Sequence, residues 1–228
     1  SSLRHPGQMS RTVEDAAILL GVIAGHDPRD PNSRDIPVPN YTAALTGDVR
    51  NVRIGIPKTY FYERLAPEVE SAVRQAIHGL EKLGAHIVEI DLPSAPRQRD
   101  IFTQIATPEA YVYHEEHLEA HGDLYGADVR SRIEAGKGMR SMDYVRAQQA
   151  RWIMKTECDR VFEAADVMIT PTVPIAAPLA SRLQEPWGNS PESAVDSLTR
   201  FTRAFNITGL PSISVPCGFT ANGLPIGM

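Results

Sequence analysis

The most constraining feature of the sequence is a strand, a helix and a second strand that follow one another between residues 52 and 92. In NVRIGIPK, apolar residues alternate with polar or small ones until Pro57, which predicts a strand. Pro67 then opens a helix whose apolar residues form one stripe and which ends before Gly84. AHIVEIDLP predicts the second strand. This order is typical of a βαβ unit and indicates a sheet with helices packed on it.

Helices and short apolar runs account for most of the remaining chain. The TVED sequence at residues 12–15 resembles a capping box, and the apolar residues around it keep helical spacing until Gly25. Residues 100–165 favour helical segments separated by glycines, and a final amphipathic helix is predicted for Ser193–Phe205. DVMITPTVP is typical of a central strand that ends in a loop. Open α/β sheets usually place ligands where such strands end.

The chain ends in a pattern that predicts a hairpin. In PSISVPCGF, apolar and polar or small residues alternate, as in a half-buried strand. Asn222 and Gly223 then provide the signal for a tight turn, because both residues tolerate positive φ. Only Leu-Pro-Ile-Gly-Met follows the turn. An arm this short leaves its partner half unpaired, so the sequence predicts that the natural protein continues past Met228.

Composition and charge argue against several classes of partner. The chain has 228 residues and a formal net charge of −5 at pH 7, without long runs of lysine or arginine, which argues against direct binding to nucleic acid. No apolar stretch approaches the roughly 20 residues that span a bilayer, so no membrane partner is expected. Cys158 and Cys217 lie in no CxxC or histidine-spaced pattern. This favours reduced thiols and a cytoplasmic protein.

The common catalytic motifs are missing from the sequence. GxGxxG, GxxxxGK[ST], GxSxG and HExxH do not occur, so the usual dinucleotide, P-loop, serine-elbow and zincin signatures are absent. His114, His117 and His121 share one helix face, but a solvated or hydrogen-bonded polar face explains them better than a metal site. Cys217 fits a buried apolar cysteine better than a nucleophile, since no basic group lies near it in sequence.

Two groups of polar residues are candidates for substrate contact. Several arginines between residues 130 and 151 fit exposed helix faces with ion pairs, and one inward arginine that grips a carboxylate or carbonyl is the functional alternative. TPTVP and FNITGLP place the hydroxyl of Thr172 and the amide of Asn206 in loops at predicted strand ends. Structural turns are the alternative interpretation of both loops.

These stretches together resemble a known enzyme family. HPGQMSRTVEDAAILLGVIAGHDPRDPNS, VRIGIPKTYF, DVMITPTVP and FNITGLPSISVPCGF are similar, in order and spacing, to the C-terminal part of amidase signature enzymes. The family typically carries Gly-Pro-Met-x-Arg-Thr-Val-Glu-Asp, Pro-Thr-x-Pro and Gly-Leu-Pro-x-x-Ser-Val-Pro. Gln8 stands where the family usually has proline. The segment that contains the three histidines is similar to the general bacterial amidase branch, which removes the metal interpretation.

The resemblance implies a fold and a reaction. The fold is α/β, a mixed sheet flanked by helices on both faces, with residues 1–228 as the C-terminal part of one amidase domain truncated at both ends. The reaction is hydrolysis of a carboxamide C–N bond, not a peptide bond, to a carboxylate and ammonia by a Ser–Ser–Lys triad, with no metal or cofactor. The triad is expected upstream of this chain. No residue here is therefore expected to be catalytic, and the fragment alone is expected to be inactive.

The resemblance also suggests residues of the substrate pocket. Arg132 matches an arginine that helps to hold the substrate carboxylate in the A subunit of glutamyl-tRNA amidotransferase, whereas Thr199 takes the place of an aspartate of that subunit. A small carboxamide is therefore the expected substrate. The expected substrate-binding residues are Arg132, Thr172, Thr199 and Asn206, and homodimers are frequent in the family.

Two other functions stay open from the sequence. One is the A subunit of a glutamyl-tRNA(Gln)/aspartyl-tRNA(Asn) amidotransferase, which would need partner subunits and glutamine. The other is a non-catalytic scaffold or binding module. The length of the natural gene product separates the scaffold from both enzymes. Missing strands would also expose apolar faces and unpaired edges in residues 1–228 alone, which is an aggregation hazard.

Overall fold

The computed structural model describes residues 2–30, 33–187 and 192–228. The chain divides into two compact units, of which the larger takes in the residues up to Arg4 and from Arg50 onward and the smaller is His5–Val49. The helices are α1 (Val13–Ile23), α2 (Pro67–Lys82), α3 (Gln98–His121), α4 (Ala127–Glu134), α5 (Ser141–Ala164), α6 (Ala194–Leu198) and α7 (Arg203–Thr208). The strands are β1 (Arg53–Pro57), β2 (His86–Ile90), β3 (Val167–Met168), β4 (Pro216–Phe219) and β5 (Pro225–Gly227).

The larger unit is built on a parallel sheet of order β2-β1-β3. Ile54 pairs with Ile87 of β2 on one side and with Val167 of β3 on the other. The helix α2 connects β1 to β2, so the predicted βαβ unit is confirmed, as is the α/β class. Glycine fits at position 55 of the middle strand because any larger residue would be crowded. A Cβ there would lie 3.1 Å from both the Ala165 Cβ and the Ile90 Cδ1, which is closer than ordinary van der Waals contact.

The predicted C-terminal hairpin is present as a separate antiparallel pair, β4 and β5. The Gly223 N–H donates to the Thr220 carbonyl and the Thr220 N–H donates to the Leu224 carbonyl, both at 2.9 Å. Gly223 has φ 78°, whereas Asn222 is not in the positive-φ region. The turn is therefore a three-residue loop with one left-handed glycine, and the expectation that Asn222 also needs positive φ is wrong.

The core of the larger unit is formed where α3, α5 and α7 meet the chain that follows β1. Phe61 and Phe201 are both fully buried, with ring centroids 5.5 Å apart. Other members of this cluster are Leu3, Ile90, Leu92, Ala95, Ile101, Ile105, Ala147, Ala150, Met154, Cys158, Val161, Ala204 and Ile207. Burial raises the pKa of the Cys158 thiol to about 11, so this cysteine is protonated near neutral pH and serves as a small apolar core residue.

The prediction of a single amphipathic helix at Ser193–Phe205 is wrong, because this part of the chain forms two shorter helices, α6 and α7. Ser193 caps α6 by accepting the Asp196 N–H, and the helix ends at Leu198. Between the two helices, Arg200 and Phe201 are both buried. The break places both side chains in the core, with Arg200 stacked on the Tyr60 ring.

The first residues of the larger unit are bound to its helices. Ser2 donates to the Glu109 carboxylate through its N–H at 2.6 Å and through its hydroxyl at 2.7 Å. Arg151 donates to the Ile207 carbonyl at 2.7 Å and to the Ser2 carbonyl at 3.1 Å. Arg151 is thus an inward arginine that grips backbone carbonyls, and its role is structural. Leu3, the next residue, is buried in the core cluster.

The smaller unit contains α1 and a long loop that includes a short 3₁₀ turn at Thr42–Ala44. Thr12 caps α1, since its hydroxyl accepts the Asp15 N–H at 3.0 Å, as the sequence predicts. None of the residues of α1 is buried, and Val22 is 76% exposed. The apolar side chains of α1 are therefore at least partly exposed to solvent within this unit.

Gln98 is an anomaly in the core that yields a testable prediction. Its side chain is fully buried, yet neither its Oε1 nor its Nε2 has a hydrogen-bond partner in the described part of the chain. An unsatisfied buried amide costs about 1–3 kcal/mol. Replacing it by methionine, which has a similar shape and no amide, is expected to raise the free energy of unfolding by about 1 kcal/mol. Urea denaturation measures this change.

The matched control for Gln98→Met is Gln75→Met, because Gln75 lies on the exposed side of α2. This control is expected to change the free energy of unfolding by no more than about 0.5 kcal/mol. A Gln98→Met protein that is less stable than the wild type would mean that the amide has a partner that stabilises it.

Candidate functional site

A cavity of about 600 Å³ lies beside β3 in the larger unit. One wall is the chain from Asp166 to Thr172, which comprises β3 and the residues after it. The segment 210–215 and Met228 also line it. The cavity therefore includes the carboxyl end of a parallel strand, where open α/β sheets usually bind ligands.

The lining of this cavity combines apolar side chains and hydroxyl groups. The apolar side chains include those of Phe162, Val167, Met168, Ile169, Phe205 and Leu210. The hydroxyl groups belong to Thr170, Thr172, Thr202, Ser212 and Ser214. Two of them, Thr172 and Ser214, are hydrogen-bonded to each other at 2.6 Å and are called the hydroxyl pair below.

The hydroxyl pair is fixed in place by the backbone around it. The Thr172 N–H donates to the Gly227 carbonyl at 3.0 Å, and Val215 and Met228 exchange two backbone hydrogen bonds of 3.0 Å. A Cβ on Gly227 would lie 2.7 Å from the Ser214 Oγ and 2.9 Å from the Thr172 Oγ1. The two hydroxyls thus pack against a bare Cα. One hydroxyl donates to the other, so the pair keeps one free O–H and several acceptor lone pairs for a further polar group.

Two titratable groups lie near these walls. The Tyr62 hydroxyl donates to the Ile169 carbonyl at 3.0 Å, and burial raises the pKa of this phenol well above its usual value. Tyr62 is therefore a neutral hydrogen-bond donor that supports the chain after β3. Burial also raises the pKa of the Cys217 thiol, which keeps it protonated and unreactive at neutral pH.

The structure brings only one of the four predicted substrate-binding residues to the cavity, and that residue is Thr172. Arg132 is exposed on α4. Thr199 ends α6, donates to the Asp196 carbonyl at 3.2 Å and accepts a hydrogen bond from Arg203. The Asn206 side chain donates to the Leu3 carbonyl at 2.9 Å. The roles of all four in binding substrate stay predictions.

Ser214 and Gly227 are the site residues that sequence reasoning missed. Ser214 is the serine of the Gly-Leu-Pro-x-x-Ser-Val-Pro segment, and Thr172 is the threonine of Pro-Thr-x-Pro. The structure joins these two motifs through one hydrogen bond. The two motifs could therefore be recognised in the sequence, but nothing in the sequence indicates that Thr172 and Ser214 are in contact.

The histidines on α3 form an aromatic group with Tyr125. His114 shares a hydrogen bond of 3.0 Å with the Tyr125 hydroxyl, and the rings of His117 and His121 are 5.1 Å apart. Among the residues with described positions, no three histidine, cysteine, aspartate or glutamate side chains form a group suited to a metal ion.

Comparison with known proteins identifies the family. A family model described as Amidase matches residues 1–228. The chain belongs to the amidase family. This amidase chain is 44% identical over 224 residues to an amidase from Pseudomonas putida, a match that covers 98% of this chain and 48% of the relative. It is 40% identical over 252 residues to the A subunit of the glutamyl-tRNA(Gln) amidotransferase of Roseiflexus sp. strain RS-1, over the whole chain and 50% of that relative.

Solved structures agree with the family and the fold. The amidase chain superposes on a bacterial aryl acylamidase of the amidase signature family with a TM-score of 0.80 and 26% identity, over 99% of this chain and 50% of that one. The resemblance seen in the sequence is confirmed. The chain spans about half the length of the curated relatives it matches. In the ranges 2–30, 33–187 and 192–228, no helix has the length and apolar character needed to cross a membrane.

Proposed function

We propose that residues 1–228 are the C-terminal part of one amidase domain, in a cytoplasmic enzyme that hydrolyses a small carboxamide to a carboxylate and ammonia. The observation that carries this proposal is the match of the amidase model to the whole chain. The 44% identity to a protein named amidase supports it. The Ser–Ser–Lys triad is expected upstream of residue 1, so residues 1–228 alone are expected to be inactive.

The reaction assigns a limited role to the residues of this chain. An activated serine attacks the amide carbonyl, backbone N–H groups stabilise the oxyanion, ammonia leaves, and water hydrolyses the acyl-enzyme. This chemistry needs no metal or cofactor. Here the hydroxyl pair forms part of the substrate pocket, where its free O–H donates to a polar atom of the substrate. A homodimer is the proposed assembly.

The A subunit of an aminoacyl-tRNA amidotransferase is the second candidate, favoured by relatives of that name at 40% and 39% identity. Thr199 argues against it. At the place where that subunit is expected to have an aspartate, this chain has a neutral hydroxyl that is bonded to the Arg203 guanidinium. The hydroxyl of Thr199 therefore lacks the negative charge that glutamine use is expected to require at this place in the sequence.

The test of the proposed function is the mass of the natural protein, measured together with ammonia release from a simple carboxamide. A mass near twice 25.0 kDa and ammonia release without partner subunits are expected. Turnover that requires glutamine, tRNA and further subunits would favour the amidotransferase. A natural mass of 25.0 kDa without turnover would favour a non-catalytic scaffold or binding module.

The hydroxyl pair gives a prediction for the intact enzyme. Thr172→Val keeps the shape of the side chain and removes its hydroxyl, and it is expected to lower kcat/KM for a small amide about three- to tenfold, mainly through KM. Steady-state kinetics of ammonia release measure this change. Ser214→Ala is expected to have a similar effect, because it removes the hydrogen-bond partner of Thr172.

The control for Thr172→Val is Thr156→Val, since Thr156 is partly exposed on α5, donates to the Trp152 carbonyl and does not line the cavity. This control is expected to leave kcat/KM unchanged. If Thr172→Val and Ser214→Ala both keep wild-type KM and kcat, the hydroxyl pair does not contact the substrate.

A further inference from the structure

We propose that three arginines of the larger unit, Arg99, Arg200 and Arg203, form a binding site for a carboxylate group. They are called the arginine cluster below. Arg99 lies on α3, Arg203 lies on α7, and Arg200 lies in the break between α6 and α7. None of the three lines the cavity beside β3. The cluster is therefore a second polar site, in addition to the hydroxyl pair.

Arg99 and Arg203 share the carboxylate of Asp196. The Arg99 Nη2 donates to it at 3.2 Å, whereas the Arg203 Nη2 lies 3.8 Å away, too far for a hydrogen bond. The Ser193 hydroxyl also donates to Asp196, at 3.1 Å. One negative charge therefore lies beside two positive charges, and it leaves the second of them poorly paired.

Arg200 is the most buried member of the cluster and also lacks a full set of partners. Its side chain is 5% exposed, and the acidic group near it, Glu192, lies 3.9 Å from its Nη1. Glu192 also lies 3.6 Å from Arg64. Within the described ranges, no atom accepts a hydrogen bond from the Arg200 Nε–H. Buried charged groups are normally paired and hydrogen-bonded, so Arg200 keeps a donor for an additional acceptor.

Arg203 carries a charge that the folded chain disfavours. Its side chain is 14% exposed, and its Nη2 donates to the neutral hydroxyl of Thr199. Burial and the nearby charge of Arg99 lower the pKa of the Arg203 guanidinium. A negative charge added beside Arg203 would offset both effects. The position therefore favours an anion.

The charge balance around the cluster is positive. Among the described residues, the guanidinium groups of the cluster and of Arg64 form ion pairs only with Glu192 and Asp196. Four guanidinium groups thus share two carboxylates. Tyr60, whose ring centroid lies 4.7 Å from the Arg200 guanidinium, adds no negative charge near neutral pH, because burial raises the pKa of its phenol. Water screens charge poorly where side chains are buried, so a bound anion is the better counter-ion.

A flat carboxylate suits the surroundings of Arg200 better than a tetrahedral phosphate. A guanidinium holds the two oxygens of a carboxylate in its own plane through two parallel hydrogen bonds. The ring centroids of Tyr60 and Phe201 lie 4.7 Å and 5.5 Å from the guanidinium carbon. The electron-rich faces of these rings repel oxygens placed above or below that plane. A phosphate always has such oxygens, whereas a carboxylate has none.

The carboxylate belongs either to the substrate or to a free small acid. Thr199, which accepts from Arg203, also accepts at its carbonyl a hydrogen bond of 3.5 Å from the Thr202 hydroxyl, and Thr202 lines the cavity. A short chain of hydrogen bonds thus connects the cluster to the cavity. A substrate that carries a carboxylate far from its amide would use both sites, an assignment that rests on the proposed function. A free acid would bind the cluster whether or not the protein hydrolyses amides.

Titration calorimetry with succinate on the intact natural protein tests the site without any measurement of activity. One succinate per chain is expected, with a dissociation constant of about 1 mM, which corresponds to about two charge-assisted hydrogen bonds. Inorganic phosphate is expected to bind at least about tenfold more weakly. An inactive protein that binds succinate would refute the proposed function and still support the site.

Two variants test the arginines themselves. Arg203→Gln is expected to weaken succinate binding at least about tenfold, and Arg99→Gln, at a half-exposed position, about threefold. Neither is expected to lower the midpoint of thermal unfolding without succinate, because Asp196 keeps one arginine in each variant. The control is Arg140→Gln, since Arg140 is exposed and pairs with Asp143 at 2.8 Å instead. This control is expected to leave succinate binding unchanged.

Two amides then decide which molecule carries the carboxylate. Succinamate has a carboxylate where butanamide has a methyl group, and the two share the same amide end. If the substrate carries the carboxylate, kcat/KM for succinamate is expected to exceed that for butanamide about tenfold, mainly through KM, and Arg203→Gln is expected to abolish this preference. Equal kcat/KM values, with succinate still bound by the wild type, would assign the site to a free acid.

Three results would overturn the carboxylate site. The first is a wild-type protein that binds no succinate at concentrations well above the expected dissociation constant, which would mean that another part of the domain already supplies the missing negative charge. The second is phosphate binding that is tighter than succinate binding. The third is that Arg203→Gln and Arg99→Gln both lower the midpoint of thermal unfolding and bind succinate as the wild type does, since the arginines would then serve structural ion pairs alone.

Discussion

Replacing Phe201 by alanine is expected to lower the free energy of unfolding by about 3–5 kcal/mol. Phe201 is fully buried, and its ring centroid lies 5.5 Å from that of Phe61 and 6.0 Å from that of Tyr60. The Arg200 guanidinium also lies 5.5 Å from the ring. Alanine would leave a cavity between α3, α5 and α7. It would also remove one of the two aromatic rings, those of Tyr60 and Phe201, against which the buried Arg200 guanidinium packs.

Denaturant unfolding of the purified protein measures this loss, and Phe219→Ala is the matched control. Phe219 is 69% exposed on β4, so its truncation removes little buried surface in the described chain. We expect a change within about 0.5 kcal/mol for the control. A Phe201→Ala protein that loses less than about 1 kcal/mol would mean that the break between α6 and α7 collapses to fill the space.

Gly136→Ala is expected to lower the free energy of unfolding by about 1–3 kcal/mol, or more if the backbone cannot move. A Cβ on Gly136 would lie 2.5 Å from the Thr107 carbonyl oxygen and 2.6 Å from the Tyr111 Cβ. Both contacts are with α3, one of them with its backbone. The loop between α4 and α5 would therefore have to move away from α3, with loss of packing on both sides.

Gly138→Ala is the control within the same loop, because a Cβ on Gly138 would have no neighbour within 4 Å. Thermal unfolding of the two variants, measured side by side, separates close packing from the general effect of alanine on a flexible chain. Equal midpoints of thermal unfolding for the two variants would show that the loop can move away from α3 without loss of stability.

The parts of the fold that sequence predicted well are those fixed by local pattern. Three predictions of this kind are confirmed, each of which depends only on residues close in sequence. They are the strand that ends at Pro57, the helix that begins at Pro67 and the N-terminal cap of α1 at Thr12. The prediction of a single helix at Ser193–Phe205 is wrong because the chain breaks between α6 and α7, where Arg200 and Phe201 are buried. Tertiary packing overrode the periodicity there.

The candidate site shows the same limit. Thr172 could be proposed because it belongs to a motif at a strand end, but its partnership with Ser214 depends on contact between segments 42 positions apart. The need for glycine at Gly227 follows from that contact and has no local signal. Similarly, the closeness of Gly136 to α3 depends on how two helices pack, which no short window of sequence encodes.

The hydrogen bonds that join Ser2 and Leu3 to α5 and α7 affect how the chain folds during its synthesis. Asn206 donates to the Leu3 carbonyl across 203 positions, and Arg151 joins Ser2 to Ile207. A ribosome adds about 5–20 residues per second, so synthesis of the intervening chain takes roughly 10–40 s. During that interval Leu3 has left the ribosome while α7 does not yet exist. The apolar Leu3 side chain is therefore without its final packing site until α7 has been made, and a chaperone that covers it during this period would favour correct folding.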